Sequence, residues 1–112
     1  MTLAEEACEP CRGGIPPYTP EQIAALRDEV SAWTVVDHHH LERAFPFPDF
    51  ATALAFVNAV GALAEEAGHH PDVELGWGRV ALRWWSHEID GLHRTDFILA
   101  ARCDRLFEET PR

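Results

Sequence analysis

The stretch from Asp49 to Gly68 restricts the fold of this chain more than any other. Asp49 offers an N-cap oxygen, Gly68 can take the left-handed conformation that ends a helix, and everything between, Phe50 to Ala67, reads as one long helix. Its apolar residues form more than one stripe: Phe50, Leu54 and Val57 on one, Ala53, Phe56, Val60 and Leu63 on another. A surface helix needs only one such stripe, so this helix has two neighbours to bury against, a sheet and a second subunit.

On both sides of that helix the apolar period drops to two. Upstream, Trp33 to Asp37 and Leu41 to Phe47 are rich in aromatic and β-branched residues and read as a hairpin with His38, His39 and His40 at its tip. Arg43 interrupts the apolar face of Leu41, Phe45 and Phe47, which places it at an edge or in a site. Downstream, Val73, Leu75 and Trp77 alternate, as do Val80, Leu82 and Trp84, with Gly78 for the turn. Trp77 reads as structural, and of Trp84 and Trp85, which face opposite ways, one belongs to the core and the other to an edge or interface.

Two more helices complete the pattern. Thr19, Pro20 and Gln22 form a capping signal for a helix from Pro20 to Ala32 carrying Ile23, Leu26 and Val30. The last helix starts near His93 or Arg94, runs to about Phe107, and buries Phe97, Ala100, Ala101 and Leu106. The order α-β-β-α-β-β-α implies an α+β domain, a four-stranded antiparallel sheet covered on one face by three helices. Residues 1–18, with Pro10, Pro16, Pro17, Gly13 and Gly14, read as a flexible leader on the surface, and residues 19–112 as a single domain.

Composition narrows the function. Nine Lys and Arg against nineteen Asp and Glu give a net charge of -10, which repels a phosphate backbone and an anionic membrane alike. The start Met-Thr-Leu-Ala-Glu-Glu has neither the basic residues nor the apolar run of a secretory signal, and no window is read as a membrane span, so the expected location is the cytoplasm. Cys8, Cys11 and Cys103 are expected as reduced thiols; Cys8 and Cys11 have the separation of a zinc pair but lack a second pair.

Chemistry concentrates after the long helix. Glu65 and Glu66 occupy its last turn, where the helix dipole disfavours carboxylates by roughly 0.3 to 1 kcal/mol. His69, His70 and Pro71 follow, and Pro71 holds His70 extended, so the two rings leave the backbone in different directions. They can line two walls of a pocket but are poorly placed to chelate one metal. His87 is read as closing the last strand, and Asp96 as lying in the first turn of the last helix.

The series has a fixed spacing: three residues separate Glu65 from His69, five separate Pro71 from Trp77, nine separate Trp77 from His87, and eight separate His87 from Asp96. In this it resembles the signature of the pterin-4a-carbinolamine dehydratase family, bacterial type. The likeness runs from Trp33 through Leu41, Arg43, Phe45, Phe47 and Asp49-Phe50 to about Leu106, and the leader Cys8-Glu9-Pro10-Cys11 also looks like that of many bacterial members. His93 departs from the pattern, since the family usually has Ser or Thr there, and histidine is the weaker cap.

The resemblance implies a hydro-lyase that dehydrates 4a-hydroxytetrahydropterin to the quinonoid dihydropterin and so recycles the cofactor of aromatic amino-acid hydroxylases. It implies no metal and no bound cofactor. Acid and base roles would fall to His69, His70 and His87, since an imidazole with a pKa of about 6.5 can serve as either. Glu65 and Asp96 would orient imidazoles or bind the pterin's amidine edge, and Trp33 would pack against the flat ring. The family also implies a homodimer or homotetramer built through strand edges and the long helix. The alternative is a protein-binding role, as a dimerisation cofactor or assembly factor on the same fold. A zinc hydrolase built from His69, His70, His87 and Asp96 ranks last.

Overall fold

In the computed structural model, which describes residues 2–8 and 14–111, the first helix α1 (Pro20–Arg27) is fixed by its opening residues. The Gln22 N–H donates to the Thr19 hydroxyl at 3.3 Å and the Thr19 N–H donates to the Gln22 amide oxygen at 2.9 Å, a reciprocal capping box with Pro20 at the first helical position. The helix ends earlier than the pattern predicts. Asp28–Val30 tightens into a 3₁₀ turn that delivers Val30, and three residues later Trp33, to the core.

The chain then forms β1 (Thr34–Val36), β2 (His40–Pro46), α2 (Phe50–Ala67), β3 (Asp72–Gly76), β4 (Arg79–Trp84) and α3 (Arg94–Glu109). The four strands pair antiparallel in the order β1-β2-β4-β3, an α+β arrangement with β2 and β4 in the interior. Register sets the two faces. Leu41 lies opposite Trp84, Arg43 opposite Leu82 and Phe45 opposite Val80, and these residues face the helices. On the other face Arg83 pairs with Glu42 and Glu74 across three strands. Phe45, Phe47, Phe56 and Phe107 pack ring against ring with centroids 4.8 to 5.9 Å apart, each pair adding about 0.5–1.5 kcal/mol beyond the area it buries.

Arg43 is not at an edge, because β2 is an interior strand, and its charge is taken up within the fold. Its guanidinium lies 4.3 Å over the Phe45 ring and pairs with Asp104 of α3, which also accepts the Trp33 indole N–H at 2.8 Å. Burial raises the Asp104 carboxyl above its usual range, opposed by the Trp33 hydrogen bond and the Arg43 charge.

Several other expectations are corrected. Residues 2–8 of the leader are docked, since Leu3 is buried against the core, Arg94 grips the Glu6 carboxylate twice, and Arg102 donates to the Ala4 and Glu6 carbonyls. Cys11 lies outside the described residues, so the proposed cysteine pair does too. Trp77, read as packing from the hairpin, is 70% exposed on the β3–β4 turn. The long helix, with mean hydropathy 1.3 over 18 residues, is long and apolar enough by count to cross a membrane, contrary to the sequence reading. In this fold its stripe of Ala53, Phe56, Val60 and Ala64 is core, while Phe50 and Leu54 of the second stripe stay exposed.

Candidate active site

The end of α2 builds one wall. Gly68 is left-handed, with φ of 64°; its N–H donates to the Glu65 carbonyl at 3.3 Å, and the His69 N–H donates to the Ala64 carbonyl at 3.2 Å. These two bonds form a Schellman motif, which reverses the chain sharply and brings His69 to the base of the sheet. A side chain at Gly68 would strain that backbone.

From there the neighbouring histidines part. His69 turns inward: its Nε2–H donates to Asp96 Oδ1 at 2.7 Å, and its ring stacks on Trp84 at 5.8 Å with an interplanar angle of 11°. His70 turns outward, its Nε2–H bonded to Glu65 Oε2 at the surface. Both rings spend Nε2 on a carboxylate, so in each Nδ1 is the nitrogen left for a ligand.

Asp96 belongs to the first turn of α3 and is fully buried. Besides His69 it accepts from the Ser86 hydroxyl at 2.7 Å and from the His93 backbone N–H at 3.0 Å. The latter bond is half of a capping box, so one carboxylate starts the helix, where the helix dipole favours a negative charge, and fixes the imidazole. His93, the cap residue, packs its ring on Tyr18 at 4.6 Å.

The opposite wall comes from residues 85–91. His87 does not close the last strand: β4 stops at Trp84, and His87 begins a 3₁₀ turn, His87–Ile89, inside a loop pinned by reciprocal bonds between Ser86 and Gly91. Gly91 must be glycine, because a Cβ there would lie 2.5 Å from Pro17 Cβ. The His87 ring stacks on Trp85 at 4.2 Å with an interplanar angle of 19°.

Between the walls lies a cleft of about 440 Å³ lined by Ala67, Gly68, His69, His70, Trp85, His87 and Glu88. That volume suits a small organic ligand. The structure thus brings His69, His70 and His87 together, with Glu65 and Asp96 holding two of them. Trp33 is not brought there: it is 1% exposed, spends its N–H on Asp104, and packs on Phe45. Sequence reasoning missed Trp85 and Glu88 as lining residues and Ser86 as a support. The available signal was position, since Trp85 and His87 are two apart on the segment that leaves β4.

Two further groups bear on the chemistry. Burial pushes the Cys103 thiol up to about 12, so it is no nucleophile near neutral pH. Among the described residues no three His, Cys, Asp or Glu side chains converge closely enough to hold a metal ion. The His38–His40 run is only partly solvated, because His39 and His40 are half-buried beside Trp85.

Taken together, the structure defines a small α+β domain with a cleft lined by three histidines, two of them hydrogen-bonded to carboxylates. The family model described as pterin 4 alpha carbinolamine dehydratase matches residues 16–106, and the chain belongs to that family. A relative from Rubrobacter xylanophilus, provisionally named pterin-4-alpha-carbinolamine dehydratase, is 52% identical over 93% of this chain and 97% of its own length. One from Syntrophotalea carbinolica with the same provisional name is 48% identical over 95% and 97%. Among solved structures, a transcriptional coactivator/pterin dehydratase from Brucella melitensis superposes with a TM-score of 0.76 at 25% identity, covering 80% of this chain and 97% of that one. A pterin dehydratase-like protein identified as a RuBisCO assembly factor in the alpha-carboxysome superposes with a TM-score of 0.59 at 28% identity, covering 68% and 89%.

Proposed function

We propose that this protein dehydrates 4a-hydroxytetrahydropterin to the quinonoid dihydropterin in the cytoplasm, by general acid and base catalysis from histidine. The observation that carries this reading is the convergence of His69, His70 and His87 on one cleft in a chain of the dehydratase family. Loss of water needs two proton transfers. A base removes the proton from the ring nitrogen beside carbon 4a, whose electrons form the new C=N bond, while an acid protonates the departing hydroxyl. The C–O bond breaks, water leaves, and no electron is gained or lost.

His69 is the fixed member. Asp96 sets its tautomer and Trp84 its plane, so it serves as a wall that orients the bicycle through Nδ1. His70 and His87 are exposed at the mouth and free to trade protons with solvent, so the acid and base steps fall to them. Stopped-flow dehydration of synthetic carbinolamine tests this. Wild type accelerates the reaction, and His70→Ala and His87→Ala each lose about 10²- to 10⁴-fold. A wild-type rate equal to the uncatalysed one, or two variants as fast as wild type, would overturn it.

A second reading concerns assembly. Phe50 and Leu54 on α2, Val73 on the edge strand β3 and Trp77 on its turn are exposed apolar residues, and of the two solved relatives one is described as a transcriptional coactivator and the other as an assembly factor. We take these residues as the surface of a homodimer or homotetramer. Light scattering behind size exclusion checks this, and a monomer at micromolar concentration contradicts it.

A further inference from the structure

His87 differs from the other two cleft imidazoles in how it is held. His69 and His70 are each hydrogen-bonded to a carboxylate, but among the described residues no side chain hydrogen-bonds the His87 ring; what touches it is the face of Trp85. Trp85 in turn is braced from behind. The rings of His39 and His40 lie 5.4 and 5.9 Å from it, and their Nδ1 atoms are 3.0 Å apart, so one ring donates a proton that the other accepts.

His39 also reaches across to the loop that bears His87. Its Nε2–H donates to Asp90 Oδ1 at 2.7 Å, and Asp90, at the end of the His87–Ile89 turn, donates its backbone N–H to the His87 carbonyl at 3.4 Å. Asp37 and His38, the central residues of the β1–β2 turn that the His39 N–H closes on the Val36 carbonyl at 2.8 Å, and Asp90 itself all have positive φ, between 49° and 54°. Left-handed backbone costs roughly 1–2 kcal/mol per non-glycine residue and persists where surrounding contacts over-determine it.

We propose that Trp85 and the His39–Asp90 pair are positioning residues for His87, the pair strapping the β1–β2 turn to the 87–90 loop so that His87 stays stacked at the cleft mouth. The inference rests on the function proposed above for its kinetic consequence but not for its structural one. The charged and titratable groups around the strap are Asp37, Glu42 and Arg83 about His40, Glu88 beside His87, and Asp90. Burial, and next the charge of His39, hold His40 below the ordinary imidazole range.

The test uses the full chain and four variants: Asp90→Ala, His39→Ala, Trp85→Leu and Trp85→Phe. In wild type the ring protons of His87 are shifted upfield by the indole. Asp90→Ala, His39→Ala and Trp85→Leu move them toward the values of a free imidazole and lower kcat about tenfold, and in Asp90→Ala and His39→Ala, which lie outside the cleft lining, KM stays within about twofold. Trp85→Phe, which keeps an aromatic face, restores most of both. Circular dichroism checks that each variant is folded, and if Trp85→Leu is not, Asp90→Ala at its exposed position decides. Unchanged His87 resonances in Asp90→Ala and His39→Ala would overturn the strap. A wild type without dehydratase activity would overturn the function instead, and the resonances would still decide the strap.

Discussion

His69 and His70 are neighbours in sequence and opposites in environment. The side chain of His69 is 11% exposed and bonded to a carboxylate with no exposure at all, whereas His70 is 59% exposed and its Glu65 partner 78%. The backbone enforces the split: the Schellman turn at Gly68 aims one ring inward and Pro71 keeps the next residue extended. The comparison teaches that burial can separate two identical neighbouring side chains, one locked into the framework and the other left open to solvent; under the proposed function the second is the reagent.

Variants can break or sharpen that division. Asp96→Ala should have the largest effect, because it strands His69, Ser86 and the His93 N–H together in a buried place. We expect a loss of about 3 kcal/mol, a fall in Tm of roughly 15 °C, and a loss of activity with it; a thermal melt and the dehydration assay read both. His70→Ala should separate the two properties, with kcat down about 10²- to 10³-fold and stability within about 0.5 kcal/mol of wild type. Were its stability to fall as far as that of Asp96→Ala, the outer ring would be framework too.

Trp33→Phe probes the far side of α3. It removes the donor to Asp104 and should cost about 1–2 kcal/mol while KM and kcat stay unchanged. An increase in KM would return Trp33 to the substrate. Asp104 gives the smallest effect and the one with an unusual sign. Its folded pKa is raised, so the folded state binds its proton more tightly. That contribution is fully present below the unfolded value of about 3.9 and is lost as pH rises through the folded one. Denaturant melts between pH 3 and 6 should show Asp104→Asn lacking this component, which runs against the ordinary acid destabilisation.

Legibility in the sequence followed the range of the interactions. The caps at Thr19, Asp49 and Gly68 are set by residues within four positions, and the helices they bound were readable from those residues. The first helix was overdrawn because the change to a 3₁₀ turn at Asp28 answers to packing of Val30, which lies outside any local pattern. Arg43 and Trp33 were misplaced for a similar reason: both meet Asp104, 61 and 71 residues away, and a charged residue on an apolar strand face looks like a site until its partner is known. The histidines and their spacing were evident, but the loop around His87 depends on a Ser86–Gly91 bridge and on Pro17 packing over Gly91, neither of which carries a periodic signal.

The claim on which the rest depends is that a reduced pterin occupies the space between His70 and His87, with His69 held behind it. Long-range proton–nitrogen spectra of the imidazoles, recorded while 7,8-dihydropterin is added, test this most directly. We expect saturable shifts of the His70 and His87 ring nitrogens, with His69 remaining protonated on Nε2 toward Asp96 throughout. Histidine resonances that ignore the ligand, or a saturable response confined to residues around Trp33, would contradict it.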